Sequence, residues 1–368
     1  MKIYVKKETL LGAIKNVQKA VDSSENANYV HLQAENGILS LAVCGNLLSI
    51  RCKLLAEEVM VEEPGSVFLS VNKFYHCISL MPNEKLQIQT KENTLVVSRK
   101  KTRMVLDTTT KVPVLEFSSF NEAAVKITIS EIVLKQLIED VVYAASADTE
   151  SNTPASSVNI EIVDGALRMT ACDGIQVSRR DIDLKDKVSS DTTAKCMIKK
   201  RNLVMIGSLL VPSFDNMAEF CIGNMKYGIR TRNIEVVGAI LFGDYYNMQK
   251  LFTEPPSETE IKMSKEELLA AMKRCAYAID ESSRRPCIIE GENTVRIHAK
   301  GKIEVEEELF ADIDGAPFRF GVNPNCMENL LKVYPEEMVT MSFKGKKLPL
   351  YVKHGSYTML LALTSIPD

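Results

Sequence analysis

The chain has 368 residues, of which 45% are hydrophobic and 25% are charged, and this composition is typical of a globular protein with two or three domains. No run of about 18 apolar residues occurs, and the first twenty residues lack a continuous apolar segment, so we expect no membrane span, no secretory signal and a cytosolic location. The formal net charge of −3 does not by itself indicate a nucleic-acid binder, and the nine scattered cysteines form no C-x-x-C pair that would indicate a zinc site.

The first third of the sequence predicts a strand, a helix and a hairpin, in that order. The strand contains Ile3, and the turn of the hairpin lies at Gly37. The helix carries apolar residues at helical spacing: Leu10, Ile14, Val17 and Val21. A second helix in "LSVNKFYHCISLMP" and a meander in "KLQIQTKENTLVVSRKKTRMVLDT" complete this unit.

The same order recurs in the middle third. Ile127 lies in the first strand, Gly165 in the hairpin turn, and a second helix follows Ile198. The first helix again carries an apolar stripe: Leu134, Leu137, Ile138 and Val141.

The last third repeats the pattern once more, with Ile261 in the strand and Asn293 in the turn. Ser264 and Glu267 have the spacing of a capping box at the start of its first helix. The helix stripe consists of Leu268, Met272, Cys275 and Ile279, and a second helix follows Val322.

These equivalent positions define a repeat as long as a domain. The first strands are 124 and 134 residues apart, and the hairpin turns are 128 residues apart in both steps. Each third is therefore predicted to contain two successive copies of the order strand, helix and three strands. We predict three tandem α+β domains, residues 1–122, 123–250 and 251–368, each with two helices on antiparallel sheets. Linkers are expected in "TTKVPVLEFSSFNEAA" and in "LFTEPPSETE", which contains Pro255-Pro256.

The segment "ACDGIQVSRRD" allows two interpretations. Asp173-Gly174 is a typical two-residue loop of a β-hairpin, because both residues tolerate the backbone angles that such loops need. Alternatively, Cys172 or Asp173 serves a hydrolase or transferase, with the cysteine as a nucleophile, or the pair is half of a metal site. No base lies at a recognisable spacing, and the sequence has no Walker P-loop, G-x-S-x-G, H-E-x-x-H or G-x-G-x-x-G motif.

Basic residues occur beside the apolar stripes of several helices. Such residues neutralise phosphates when a helix faces duplex DNA, without reading the base sequence. Acidic residues share these helices, so an ordinary solvated surface is the alternative. The candidates are Lys15, Lys19, Lys73, Lys135, Lys199, Lys200, Arg201, Lys273 and Arg274.

The triplicated pattern, together with five local segments, resembles the bacterial sliding clamp, the β subunit of DNA polymerase III. The segments are "MKIYVKKETLLGAIKNVQKAV", "LRMTACDGIQVS", "LFGDYYNMQKLF", "FGVNPNCMENLLKVYP" and "YTMLLAL". The resemblance covers essentially the whole chain. It implies a crescent protomer of three DNA-clamp domains, two of which join head to tail into a ring around duplex DNA. It further implies a non-catalytic processivity factor without cofactor or metal.

The resemblance also implies partners and a site. The partners are double-stranded DNA, the DNA polymerase III catalytic subunit, the clamp loader and clamp-binding repair proteins. No contact with a membrane is expected. A groove between the second and third domains takes a short peptide from these proteins. Carried over by position, its residues are Ala155, Cys172, Gly174, Ile175, Gln176, Val177, Gly243, Asn247, Met248, Thr358, Leu360, Leu361 and Ala362.

The sequence departs from the family pattern at several of these places. Family members usually have His-Arg where Ile175 and Gln176 stand, and Pro where Gly243 and Leu361 stand. The basic residue that the family uses on DNA near Ser24 is also absent. A clamp-like dimeric scaffold with a different choice of partners and a weak role on DNA is therefore an alternative function.

For the homodimer, the resemblance implies that an edge strand of the first domain, with Arg103, Met104 and Leu106, adds to the third domain near Ala278 and Ile279. The alternative is that Met104 and Leu106 are inward-facing residues of an ordinary strand. The excess of basic over acidic residues falls from +2 in the first third to −1 and −4 in the next two, which favours head-to-tail contact.

Overall fold

The computed structural model describes residues 1–23, 28–109, 125–147, 153–184, 188–189, 191–253, 257–279 and 285–366. In this part of the chain, seven α-helices lie on antiparallel sheets, which confirms the predicted α+β class. The chain divides into two compact units, residues 1–135 with 205–240 and residues 136–204 with 241–368.

Each third of the chain contributes the elements in the predicted order. The first third forms β1 (Lys2–Lys6), α1 (Lys7–Gln18), β2 (Tyr29–Glu35), β3 (Ile38–Cys44), β4 (Leu48–Leu54), β5 (Val59–Glu63), β6 (Gly65–Ser70), α2 (Val71–Leu80), β7 (Lys85–Lys91), β8 (Thr94–Arg99) and β9 (Thr102–Asp107). The middle third forms β10 (Val125–Ser130), α3 (Glu131–Val142), β11 (Ser157–Val163), β12 (Ala166–Cys172), β13 (Gln176–Asp183), β14 (Ala194–Lys199), α4 (Lys200–Gly207), β15 (Met217–Ile222), β16 (Lys226–Arg230), β17 (Ile234–Ala239) and the single turn α5 (Gln249–Phe252).

The last third forms β18 (Thr259–Ser264), α6 (Lys265–Ala278), β19 (Cys287–Gly291), β20 (Val295–Lys300), β21 (Glu304–Leu309), β22 (Ala311–Gly315), β23 (Phe318–Val322), α7 (Pro324–Val333), β24 (Met338–Phe343), β25 (Leu350–His354) and β26 (Tyr357–Leu361). Two strands, β5 and β22, were not predicted. Each adds a fourth strand to the first half of its repeat.

The first unit contains two sheets. One has the strand order β5-β1-β7-β8-β9, and the other has the order β10-β15-β16-β17-β4-β3-β2-β6. The second of these sheets joins strands of the first and middle repeats, because β17 pairs with β4.

The second unit also contains two sheets. Its nine-stranded sheet has the order β14-β11-β12-β13-β26-β25-β24-β18-β22, and its four-stranded sheet has the order β21-β20-β19-β23. Strands of the middle and last repeats meet where β13 pairs with β26. The domain boundaries at 122/123 and 250/251 therefore stay a proposal, since sheets run across the repeats and residues 110–124 and 254–256 lie outside the described part.

The apolar stripes predicted for the first helix of each repeat are largely buried. All four residues of the middle stripe and all four of the last stripe are buried, and Ile279 lies just beyond the end of α6. In the first helix the buried side chains include Leu10, Ile14 and Val17, whereas Val21 lies beyond the end of α1. The Ser264 hydroxyl accepts a hydrogen bond from the Glu267 amide at 3.3 Å, as a helix N-cap should.

The hairpin turns also form where the repeat places them. Asn36 and Gly37 join β2 to β3, and Asp164 and Gly165 join β11 to β12. All four residues have positive φ angles between 51° and 76°, as the two-residue loops of tight hairpins require.

Candidate functional site

The hairpin between β12 and β13 contains the segment "ACDGIQVSRRD", for which the sequence allows either a turn or a reactive site. Gly174 has a φ of +95°, and the Asp173 carboxylate accepts hydrogen bonds from the amides of Ile175 and Gln176, both at 2.8 Å. The Asp173 amide donates to the Gln176 carbonyl at 3.3 Å, so the two central residues of the loop are Gly174 and Ile175. The loop is thus one residue later than predicted, and Asp173 closes it.

Cys172 lacks the features of a nucleophile. It is 8% exposed, and burial raises the pKa of its thiol, which disfavours the reactive thiolate. Its sulfur accepts a hydrogen bond from the Gly174 amide at 3.4 Å. With Asp173 occupied by backbone amides, both groups have structural roles.

Beside this hairpin is an apolar cavity of about 280 Å³. It lies within the second unit, on one face of the nine-stranded sheet at the β13–β26 seam. Six of the predicted groove residues line it: Cys172, Gly174, Ile175, Val177, Leu360 and Ala362. A concave apolar site of this kind suits a leucine or aromatic side chain of a peptide.

Two predicted groove residues face away from the apolar cavity, because neighbouring residues of a strand point to opposite faces. Gln176 and Leu361 are paired across the β13–β26 seam. Gln176 is 5% exposed, and its amide donates to the Asp173 carboxylate at 3.0 Å. Leu361 is fully buried in the hydrophobic core of the second unit. Both residues pack on the face of the sheet opposite the apolar cavity and so stabilise the strands that line it.

The remaining predicted groove residues lie around the cavity. Thr358 is on the same face of β26 as Leu360, and Met248 packs in one cluster with Cys172, Val177 and Leu360. Asn247 and Met248 line a second, polar cavity nearby. Ala155 lies half-buried in a short turn at Pro154–Ser156, and Gly243 has a φ of +121° in the strand-free segment before α5.

One wall of the apolar cavity consists of residues that were not predicted. Leu251 of α5 lines it, as do four residues of the loop between β24 and β25 and one residue after β26: Lys346, Lys347, Leu348, Pro349 and Leu363. The string "KGKKLPL" offered a signal, because two lysines followed by Leu-Pro are a loop composition with both charge and an apolar surface.

The nine predicted DNA-facing residues fall into three groups. Lys15, Lys73, Arg201 and Lys273 are exposed. Three others already contact the protein: Lys19 donates to the Ser208 hydroxyl at 2.8 Å, Lys200 donates to the Ala145 carbonyl at 2.6 Å, and Arg274 pairs with Glu307. Lys135 and Lys199 are half-buried. Ser24 lies outside the described residues.

The predicted interface residues differ in exposure: those on β9 lie at a sheet edge, and those at the end of α6 are buried. β9 is the edge strand of its sheet, with Arg103 exposed and Met104 and Leu106 half-buried; the Met104 sulfur lies 3.8 Å from the Cys77 sulfur of α2. Ala278 and Ile279 are buried at the end of α6 and present no surface. The exposed apolar side chains near them were missed: Tyr277, Ile303 and Phe310.

One set of side chains in the described part of the chain has ligand atoms close enough for a metal ion: His298, Glu304 and Glu306, within 4.8 Å of one another. His298 Nε2 is 3.2 Å from Glu304 Oε1, and Lys300 Nζ is 3.5 Å from the same oxygen. All of these side chains are at least partly exposed. The lysine gives the cluster the character of a surface ion-pair network.

Comparison with known proteins gives a consistent answer. Residues 1–121 match the family model of the DNA polymerase III beta subunit, N-terminal domain. The chain is 23% identical to the beta sliding clamp of Bacillus subtilis, with 96% of each chain covered, and 21% identical to that of Mycoplasmopsis pulmonis, with 91% of each covered.

Solved structures share the fold over the whole length. The DNA polymerase sliding clamp from Bacillus subtilis superposes with a TM-score of 0.90 at 21% identity, and a sliding clamp from Pseudomonas aeruginosa bound to griselimycin with 0.91 at 18% identity. Each covers 100% of both chains. None of the described helices combines the length and the apolar character that crossing a bilayer requires.

The chain therefore has the fold of the bacterial sliding clamps. Within that fold, the similarity extends to the bacterial DNA polymerase III beta subunit family: its N-terminal model matches residues 1–121, and beta sliding clamps of two bacteria match over 91–96% of the chain.

Proposed function

We propose that two copies of this chain join head to tail, encircle duplex DNA in the cytoplasm and tether the replicative polymerase to it. The observation that carries this proposal is the order of strands and helices that recurs in all three repeats of the described chain, together with the 91–96% coverage of the curated relatives. A topological tether needs no catalytic group, and the two groups that resembled one, Cys172 and Asp173, are used structurally.

Charge and apolar surface support an edge-to-edge dimer. β9 is the edge of a five-stranded sheet, and β21 is the edge of a four-stranded one. On β9, Arg103 and Val105 are exposed on one face, and Met104 and Leu106 lie on the other, towards α2. On β21, Glu304, Glu306 and Glu308 occupy the exposed face, and Val305 and Leu309 pack towards the core.

Pairing these two edges would satisfy their open backbone groups and continue the sheet between copies. It would also bring apolar side chains together on one face and set Arg103 against the glutamates of β21 on the other. Phe310, which is 86% exposed at the end of β21, would be covered in such a contact. Arg103 would meet the glutamates of β21 only in a head-to-tail contact, whereas a head-to-head contact would set the glutamates of two β21 strands against each other.

For the DNA-facing surface, the support is the set of exposed basic residues on the helices. Lys15, Lys73, Arg201 and Lys273 belong to four different helices and lack a predicted base-reading role, which fits contact with phosphates alone. For protein partners, the support is the apolar cavity, which would take a hydrophobic side chain from the polymerase catalytic subunit, the clamp loader or a repair protein.

The test compares how long the chain stays on circular DNA, which has no ends, with how long it stays on the same DNA after linearisation. The chain is loaded on nicked circular plasmid with the clamp loader of its own organism, and half of the sample is then linearised with a restriction enzyme. We expect retention on the circle and rapid loss from the linear form, because a ring slides off ends. Equal loss from both forms would contradict encirclement.

One observation favours a second candidate, a dimeric scaffold with a weak role on DNA. Lys19, Lys200 and Arg274 are committed to contacts within the protein, which lowers the number of cations available to phosphates. The same retention assay separates the two functions, since a scaffold would be lost from the circle as fast as from the linear form.

A further inference from the structure

A second cavity lies beside the apolar cavity, on the same face of the nine-stranded sheet and within the same unit. It measures about 360 Å³, and its floor consists of β14, β11, β12 and β13. Residues 245–249 and Phe252 form its wall. Three cationic side chains line it, namely Arg168, Arg179 and Lys195, so its chemistry differs from that of its neighbour.

One buried polar side chain in this polar cavity lacks a partner. Asn159 lines the cavity and is 5% exposed. Among the described residues, Asn159 Oδ1 has no hydrogen-bond partner. A buried polar atom left unpaired costs about 1–3 kcal/mol. A ligand that offers a hydrogen-bond donor would remove this cost, and the N–H groups of a peptide backbone are such donors.

The charges of the polar cavity favour an anionic group. Asp181 accepts hydrogen bonds from Nε and Nη2 of both Arg168 and Arg179, at 2.9–3.2 Å. No hydrogen bond in the described part of the chain uses Nη1 of either guanidinium. Glu161 Oε1 lies 4.0 Å from Lys195 Nζ. Three cations thus face two carboxylates, which leaves one positive charge and guanidinium donors for a further acceptor.

The two cavities are close enough for one extended peptide. Along β13, Val177 lines the apolar cavity and Arg179, two residues later, lines the polar one. Along β12, Cys172 and Arg168 are four residues apart on the same face. At a rise of about 3.3 Å per residue, Arg179 and Arg168 lie roughly 7 to 13 Å from the apolar cavity, the length of two to four extended residues, and Lys195 lies farther away, on β14.

We propose that the polar cavity binds an acidic side chain of the same partner peptide whose hydrophobic residue fills the apolar cavity. The acidic residue lies two to four positions from the hydrophobic anchor. This inference rests on the proposed function only through the apolar cavity. It names the chemistry by which this clamp selects among peptides: an Asp or Glu at a fixed distance from a Leu or Phe.

The test uses fluorescein-labelled synthetic peptides with a Leu-Phe pair and a single Glu placed two, three or four positions away on either side. Each has a partner peptide with Gln in place of Glu. Fluorescence anisotropy with the full chain should give, at one of these positions, about three- to tenfold tighter binding of the Glu peptide. In Arg179→Gln and in Lys195→Gln, this ratio should fall to about one, while the Gln peptide binds as before.

Arg296→Gln is the matched control, because Arg296 lines a different polar cavity of the same unit, beside the β19–β20 turn. It should keep the wild-type ratio. No preference for Glu at any position, or a preference that survives both Arg179→Gln and Lys195→Gln, would overturn the inference. Displacement of the Glu peptide alone by a single-stranded oligonucleotide would also overturn it, in favour of nucleic acid. If the Gln peptides bind without a Glu preference, the apolar cavity stands and only this inference fails; if no peptide binds, the proposed partner site fails.

Discussion

Replacing Gly238 by alanine should destabilise the protein far more than the addition of one methyl group suggests. Gly238 lies on β17, directly opposite Tyr227 of β16 in the eight-stranded sheet. Tyr227 is fully buried, and its ring lies over the glycine. A Cβ atom at position 238 would be 2.3 Å from both Cζ and the hydroxyl oxygen of Tyr227.

The size of the effect follows from this overlap. Carbon atoms in contact prefer about 3.5–4.0 Å, so more than 1 Å of displacement is needed. The methyl group is fixed to a strand that is paired on both sides, with Tyr227 and Leu48, so the ring has to move. Overpacking of a well-filled core costs about 1–3 kcal/mol and occasionally more, and we expect about 3 kcal/mol here, at the upper end. For a unit of this size that corresponds to a fall in Tm of roughly 6–12 °C.

Gly12→Ala is the matched control, because a Cβ atom at Gly12 would have no neighbour within 4 Å. Gly12 lies in the middle of α1, where alanine is preferred over glycine by about 0.5–1 kcal/mol, so this variant should be more stable than the wild type. Thermal and urea unfolding of both variants, monitored by circular dichroism, gives the change in unfolding free energy of each relative to the wild type, which should be negative for Gly238→Ala and positive for Gly12→Ala. Gly238→Ala within about 0.5 kcal/mol of the wild type would refute the reasoning. Tyr227→Leu combined with Gly238→Ala should recover part of the loss, because the smaller side chain leaves room.

Two further predictions concern charge. Arg103→Glu should raise the dimer dissociation constant about tenfold in sedimentation equilibrium. Adding Glu306→Arg in the same chain should restore the dimer, since residues 103 and 306 then exchange their charges. An unchanged dimer in Arg103→Glu would place the contact elsewhere. Burial alone would favour the neutral acid of Asp181, but the hydrogen bonds from Arg179 and Arg168 hold its pKa below the usual value of 3.8. The charged form therefore stabilises the fold above that value, and the Tm difference between wild type and Asp181→Asn should be largest at neutral pH and shrink as the pH falls below 3.8; a difference independent of pH would contradict this.

The repeat and its helices could be predicted because their signals are local. A stripe such as Leu134, Leu137 and Ile138 specifies one buried helix face without reference to any other segment. The turns at Gly37 and Gly165 need positive φ, which few residues tolerate, so their positions follow from the sequence. The same locality explains why the Ser264 cap was found.

The parts that were missed depend on pairing between distant segments. The wall formed by residues 346–349 reaches the apolar cavity because β25 and β26 bring it beside β13, which no local pattern states. The short strands β5 and β22 add to sheet edges that are set up elsewhere in the chain. Ala278 and Ile279 were assigned to a surface from their place in the family pattern, whereas the end of α6 buries them and leaves Tyr277 exposed.

The two departures at Ile175 and Gln176 have different consequences, although the residues are adjacent. Ile175 is exposed at the rim of the apolar cavity, so its change from the family residue alters the surface that a peptide meets. Gln176 points to the opposite face, where its amide holds the Asp173 carboxylate that closes the turn. A long cationic side chain in its place would have to enter a buried position beside Tyr143, at a cost that a buried unpaired charge makes large. Under the proposed function, a partner peptide would therefore meet Ile175, and the role of Gln176 is to fix the loop that presents it.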